Sequence, residues 1–320
     1  MSCARGAAQE LEQGRLTRMT EIQKPASCPV TVAIATTGRR GIVGQTIGYL
    51  ASLNDPPDRV IASVAHPDDI DTSGLPPLPF PLVVLTGRKG SSAQRNTVLD
   101  AERDCGLILF IDDDFLIADG YISALRRLFI SQKDVVMATG KVLADGIHGP
   151  GFTHDEALRI LANAPKTPLV PQARDEYSVY GCNMAIRVSI LAKNPERFDE
   201  NLPLYAWLED MDLCRRMARY GRIVRDESLL GVHLGTKTGR TAGLLLGYSQ
   251  VANPVYLIRK GSVRPAPVLK LMTKNILSNL AKSLWPEPWI DRSGRMRGNM
   301  IALRDLLRGR CAPARILELR

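Results

Sequence analysis

Three consecutive carboxylates, Asp112, Asp113 and Asp114, follow directly on the apolar run Ile108-Leu109-Phe110-Ile111. On an extended chain residues two apart point the same way, so Asp112 and Asp114 share a side. Crowded carboxylates repel unless a cation or a hydrogen-bond network holds them. One reading is a hard divalent ion that both share and that in turn carries a diphosphate. The other is that Asp112 or Asp113 caps the turn that follows. A second cluster lies in Trp207-Leu208-Glu209-Asp210-Met211-Asp212-Leu213-Cys214-Arg215-Arg216. Leu208, Met211, Cys214 and Ala218 repeat as one apolar helix face. Glu209 and Asp210 fall in its first turn, where the helix dipole favours carboxylates. Asp212 has Arg215 and Arg216 at ion-pair spacing. Glu209 and Asp210 lack such a local partner and are open to a ligand. Third, His233 stands in the glycine-rich stretch Gly231-Val232-His233-Leu234-Gly235-Thr236-Lys237. It either completes a metal site begun by Asp112 and Asp114 or is a packed or solvated imidazole.

These groups need a frame, and the first half of the chain supplies one. Val30–Ala35, Val60–Ala65, Leu82–Thr86, Leu107–Ile111 and Val135–Thr139 are nearly continuous in Val, Ile, Leu and Ala. That pattern predicts strands covered on both faces. Between them Ile42–Leu53, Ala93–Cys105 and Tyr121–Ile130 carry helical spacing, the last with Asp119 as its N-cap. Strand–helix alternation predicts a mostly parallel sheet with helices on both faces. Ligands collect beyond the carboxyl ends of such strands, which is where Asp112 stands. After residue 140 the spacing predicts a strand over Ser178–Arg187, a helix over Trp207–Arg219 and a short strand over Arg222–Arg225. Glycines from Gly231 to Gly247 read as a flexible connector or lid. The remainder is helical.

Composition narrows the class. With 320 residues and 45% hydrophobic content the chain buries a full core, which excludes disordered, collagenous and small disulfide-framework classes. No apolar run reaches the roughly 18 residues of a spanning helix. Six cysteines without a CxxC pair point to a reducing compartment. Residues 1–27 read as a flexible leader without a signal-peptide h-region. The net charge of +9 is uneven: residues 256–320 carry +10 and the rest −1. A basic tail prefers an anionic partner. Within it, Leu269, Met272, Ile276, Leu280 and Leu284 line one side of a helix and Lys270, Lys274 and Lys282 another, with Trp285 and Trp289 following. Such a helix either lies in the headgroup plane of an anionic membrane or docks on the body with its lysines solvated. Walker A and GxGxxG fingerprints are absent, which argues against an NTPase or a dehydrogenase.

In order and spacing these features resemble the family 2 glycosyltransferases with the GT-A fold. The opening strand Val30–Thr37, the stretch Gly90-Ser91-Ser92-Ala93-Gln94-Arg95-Asn96, the DxD strand Leu109–Asp114, Gly181-Cys182-Asn183-Met184-Ala185, the ED motif at Glu209-Asp210 and the late histidine His233 carry the resemblance. It implies a mixed, mostly parallel sheet flanked by helices, with a leader (1–27), a catalytic domain (28–240) and a basic helical C-terminal region (241–320). It also implies Mg²⁺ or Mn²⁺ on Asp112, Asp114 and His233, a nucleotide-sugar donor, and hexosyl or deoxyhexosyl transfer with inversion. The acceptor would be a saccharide or lipid-linked hydroxyl in polysaccharide or glycolipid synthesis. Asp210 is then the general base. Glu209, Trp207 and Asn183 face the acceptor, and Thr36, Arg95 and Asp113 the donor. Trp207 as a packed core residue stays open beside a stacking role. The family usually ends its second strand with a base-binding Asp; here Ser63, His66 or Asp68 must substitute, or the base is held by backbone. A cytoplasmic location follows, peripheral on the inner membrane face. Two rival classes are a sugar-1-phosphate nucleotidyltransferase and a nucleic-acid-binding protein. The first needs a Gly/Arg/Pro-Lys loop after the first strand, where the chain reads Ala35-Thr36-Thr37-Gly38-Arg39-Arg40-Gly41. The second needs aromatics interleaved among the basic residues, so no nucleic-acid partner is expected.

Overall fold

The computed structural model describes residues 28–103, 106–165, 170–239 and 241–319. The leader and Cys105 lie outside the described residues. The strands are β1 (Val30–Thr36), β2 (Arg59–Val64), β3 (Leu82–Thr86), β4 (Leu107–Asp112), β5 (Phe115–Ile117), β6 (Val135–Asp145), β7 (Ala173–Asp175), β8 (Asn183–Arg187) and β9 (Arg222–His233). They form one nine-stranded sheet in the order β3-β2-β1-β4-β8-β6-β9-β5, with β7 paired to β9. Strands β3, β2, β1 and β4 are parallel, as the alternation predicts. Antiparallel β8 joins β4 to β6, and β6 and β9 are again parallel.

The period of two along β4 shows why these runs are continuously apolar. Leu107, Leu109 and Ile111 enter one core with Val43, Ile47, Leu125 and Phe129 from α1 (Arg40–Ala51) and α3 (Tyr121–Ser131). Ile108 and Phe110 enter the other with Val98, Leu99, Leu213 and Met217 from α2 (Ser91–Ala101) and α6 (Glu209–Met217). Helices on both faces remove the need for a polar side. Between these, α4 (His154–Ala162) and α5 (Val188–Lys193) are short. The C-terminal helices are α7 (Gly243–Lys260), α8 (Pro265–Lys282) and α9 (Arg292–Leu307). They pack on the body through Leu257, Val263 and Val268 against Leu202, Ala206 and Leu208. No described helix is long and apolar enough to cross a membrane.

Three sequence expectations are corrected. Asp119 does not cap α3: Gly120 takes the cap position at φ +78°, and Asp119 accepts from the Asn54 backbone N–H at 3.1 Å instead. The strand expected from Ser178 starts only at Asn183, because the Asn183 N–H bonds Tyr180 O (3.0 Å) and closes a turn. The glycine run does not begin a lid. Strand β9 continues to His233, and Gly231 is small because a Cβ there would sit 2.4 Å from Cζ of buried Phe115. This glycine marks close packing of β5 on β9. Gly44, inside α1, has nothing within 4 Å of an added Cβ. We therefore expect Gly231→Ala to cost about 1–3 kcal/mol through overpacking and Gly44→Ala to gain about 0.5–1 kcal/mol through lost chain entropy. Denaturant unfolding of the two variants checks the opposite signs.

Candidate active site

Strand β4 ends at Asp112, the chain turns, and Asp114 leads into β5, which pairs antiparallel with β9 so that Phe115 lies opposite His233. The same strand pair bonds the Leu234 N–H to Asp114 O (2.9 Å). His233 Nε2 thus lies 3.4 Å from Asp114 Oδ1 and 3.8 Å from Asp112 Oδ2. One ligand atom from each of the three residues falls within 4.8 Å of the others. Cis and trans ligands of an octahedral ion with bonds near 2.1 Å are about 3 and 4.2 Å apart. Two carboxylate oxygens and one imidazole nitrogen at these separations fit Mg²⁺ or Mn²⁺. Asp112, 35% exposed at its side chain, leaves one side open to substrate.

Behind His233, Asp145 Oδ1 is 2.9 Å from Nδ1, fixing the ring so that Nε2 faces the carboxylates. Register explains this contact, since Asp145 at the end of β6 pairs with His233 in β9. Tyr180 Oη donates to the other Asp145 oxygen at 2.9 Å. Burial pulls the His233 imidazole down, but its bonds with Asp114 and Asp145 prevail and raise it to about 10. Asp114 also accepts from the Thr236 N–H (2.7 Å).

Asp113 turns away from this cluster. Its carboxylate accepts from Thr36 Oγ1 (2.6 Å) and Arg39 Nη1 (2.7 Å), and burial pushes it up to about 6 despite the arginine. Arg39 extends the link by donating to Thr238 O (2.8 Å) and Thr236 O (3.3 Å). The loop after β1 is thereby stitched to the loop after β9. Expected on the donor side, Thr36 and Asp113 are buried and bond each other; they position that loop pair.

Opposite stands the ED pair. Asp210 Oδ2 accepts from the Gly181 N–H (3.0 Å) and Oδ1 from the Met211 N–H (2.7 Å), at the N-terminus of α6. Burial raises its pKa, opposed by the Met211 N–H and Arg95. Glu209 is likewise pushed up by burial, against the pull of Arg95, with which it forms an ion pair. Arg95 is only 5% exposed. It also donates to Gly181 O (3.1 Å), lies 3.5 Å from Asp112 Oδ1, and sits over Phe198. Gly181 therefore contacts Asp210 through its N–H and Arg95 through its C=O, and Arg95 reaches Asp112. The Glu209–Asp210 pair and the Asp112–Asp114–His233 cluster share one rim.

Most of the other expected contact residues are engaged within the protein. Arg95 is a strut between α2, α6 and β4. Asn183 is fully buried, its Oδ1 accepting from Thr139 Oγ1 and the Gly140 N–H, so it ties β8 to β6. Trp207 packs with Leu202, Leu208 and Leu257, and its carbonyl accepts from Asn253. Ser63 is fully buried and Asp68 is a solvent-facing side chain, 85% exposed. The acidic residue organising the end of β2 is Asp69, which accepts from the N–H groups of Gly38 (2.7 Å), His66 (2.8 Å) and Ala65 (3.1 Å). Gln94 joins the same corner, donating to Thr36 O and Ser63 O.

No protein-family model and no curated protein matches this sequence. Solved structures do. The molecule is similar to GalNAc-T7 with UDP, GalNAc and Mn²⁺ (TM-score 0.51, 12% identity, 85% of this chain and 54% of that one). It is also similar to S. aureus TarS 1-349 in complex with UDP-GlcNAc (TM-score 0.50, 12% identity, 90% and 82%). The chain has the GT-A fold. It spans about half of the GalNAc-T7 chain and 44% of the longer TarS chain.

Within this GT-A frame one feature gave no sequence signal. Leu204, Ala206 and Leu208 adopt φ of +59°, +52° and +77°, unusual for residues with a Cβ, immediately before Glu209. The Ser91 N–H bonds Leu204 O (2.8 Å) and the Glu209 N–H bonds Ala206 O (2.9 Å), which holds the strained segment and presents Tyr205 to solvent. Strain of this kind concentrates at functional sites. Asp145, Tyr180 and Arg39 were also unanticipated, because their partners are brought up only by sheet register. We expect Asp145→Ala to weaken Mn²⁺ binding about 10- to 100-fold by freeing the imidazole, and Asp68→Ala to leave it unchanged. Titration calorimetry with Mn²⁺ checks both.

Proposed function

We propose that this protein is a metal-dependent inverting glycosyltransferase of the family 2 type. It moves a hexosyl or deoxyhexosyl unit from a nucleotide-sugar donor to a hydroxyl of a saccharide or lipid-linked acceptor, in polysaccharide or glycolipid synthesis at the cytoplasmic face of a membrane. The observation that carries this reading is the convergence of Asp112, Asp114 and His233 on one side of Gly181 and Arg95, with Asp210 on the other. Support also comes from the two GT-A structures above, which are complexes with UDP or UDP-GlcNAc and, in one, Mn²⁺.

Held by these ligands, Mg²⁺ or Mn²⁺ supplies Lewis-acid charge for a leaving diphosphate. The protein does the rest. Asp210 accepts the proton of the attacking hydroxyl; its burial-raised pKa brings it closer to the working pH of a general base. Attack from the carboxylate side, opposite the leaving group, inverts the anomeric centre. Glu209, neutralised by Arg95, orients the acceptor without competing for that proton. Arg95 keeps both carboxylates in register with Asp112. The nucleotidyltransferase alternative is not favoured, because Arg39 in the loop after β1 is engaged by Asp113 and Thr238 instead of awaiting a triphosphate.

A panel of sugar nucleotides with Mn²⁺ tests the reading. Asp210→Asn is expected to lower kcat by about 10²- to 10⁴-fold while donor affinity stays near wild type. Near-wild-type turnover in that variant, or retention of anomeric configuration by NMR, contradicts it.

A further inference from the structure

Among the described residues, the C-terminal helices leave one face exposed. Helix α8 packs inward through Val268 and Asn279, with Met272 and Ile276 half-buried. Its outer side shows Leu269, Leu277 and Leu280, and the chain beyond it shows Leu284 (70% exposed) and Trp285 (81%). Of the thirteen large apolar residues exposed among the described residues, nine lie between Leu269 and Leu317. The patch is thus concentrated on this unit instead of scattered as on an ordinary soluble surface. Cations accompany it. Lys270 and Lys274 stand exposed on the same helix, and residues 261–286 contain no Asp or Glu at all. Helix α9 repeats the mixture, with exposed Met300 and Leu307 between exposed Arg297, Arg304 and Arg308.

We propose that this face is a docking surface for an anionic lipid bilayer. Large apolar side chains interleaved with lysine and arginine suit the boundary between acyl chains and acidic headgroups, each component engaging one layer. A second copy of the chain fits less well. Two copies related by a two-fold axis would bring like-charged lysines together, and residues 261–286 offer no carboxylate to offset them. A nucleic acid would match the charge but would leave the leucines unused.

The docking face adjoins the candidate active site. After Trp285 the chain turns through Pro286-Glu287-Pro288, braced by Arg292 on Glu287, and Trp289 Nε1 donates to His148 O at 3.3 Å. His148 closes the turn Gly146–His148 that follows Asp145 directly, and Asp145 holds the ring of His233. A bilayer seated here lies beside the rim of the sheet. If the sugar-transfer reading holds, on which this last step alone rests, the acceptor hydroxyl arrives on a lipid at that membrane surface.

Flotation of the full chain with vesicles tests the docking face without requiring catalysis. The protein is expected to float with phosphatidylcholine vesicles containing phosphatidylglycerol, to stay behind with pure phosphatidylcholine, and to lose binding as salt rises. Two variants, Lys270→Glu/Lys274→Glu and Leu277→Ser/Leu280→Ser/Trp285→Ser, are each expected to lower partitioning at least about tenfold. In the unmodified chain, brominated phospholipid is expected to quench tryptophan emission, which gives a readout if a variant fails to fold. Absence of flotation and of quenching overturns the proposal. So does a dimer by light scattering that the leucine variant converts to monomer, since the face would then lie between copies. Asp210→Asn is expected to float like wild type, so a failed sugar-transfer assay and a failed docking assay are told apart.

Discussion

Too much negative charge meets at one end of the sheet, and the surrounding structure is arranged to contain it. Asp112, Asp113, Asp114, Asp145, Glu209 and Asp210 gather around the ends of β4, β6 and α6. Buried or half-buried carboxylates at this density are tolerated only when paired and hydrogen-bonded. Among the described residues, Arg39 takes Asp113, Arg95 takes Glu209, and the His233 ring lies among Asp112, Asp114 and Asp145. Asp112, Asp114 and Asp210 carry the charge that the two arginines do not offset. A divalent ion on the neutral imidazole would relieve the first two, and the N-terminus of α6 with the Gly181 N–H eases the third.

The fold follows from that requirement. Parallel β1, β2 and β4 supply the strand ends, and helices on both faces keep those ends dry except along the rim. Antiparallel β8 inserts beside β4 and starts from the Tyr180–Asn183 turn, which carries Gly181 between Arg95 and Asp210. The long β9 then returns His233 to Asp114 across β5 and to Asp145 across β6. Gly231 permits this triple-strand approach by admitting the Phe115 ring. Leu204, Ala206 and Leu208, each with left-handed backbone, lead directly into the ED pair, and Trp207 among them packs against the C-terminal helices.

Legibility in the sequence tracked the range of the interactions. The strands and helices of the first half follow from local periodicity, and Asp112, Asp114, His233, Glu209 and Asp210 stand out by type and spacing. What escaped reading depends on contacts between distant segments. Asp145 looks like any loop aspartate until β6 pairs with β9. Asn183 and Ser63 read as ligand-facing polar residues, yet register buries both. The ion pair of Arg95 with Glu209 could not be read from the sequence, because Glu209 lies 114 positions away in the chain. Asp68 and Asp69 are neighbours of identical type, and only the turn after β2 decides that Asp69 gathers the backbone N–H groups. The glycines near residue 231 signal close packing as readily as freedom, and chain order alone does not separate the two.

A single ion shared between Asp112, Asp114 and His233 is the point on which the functional reading turns. Anomalous diffraction from crystals grown with Mn²⁺ locates it directly. One manganese peak is expected within bonding distance of His233 Nε2 and of carboxylate oxygens from Asp112 and Asp114, on the open side facing Asp210. Manganese bound elsewhere, or His233 still bridging the two carboxylates with no metal beside it at saturating Mn²⁺, would contradict it.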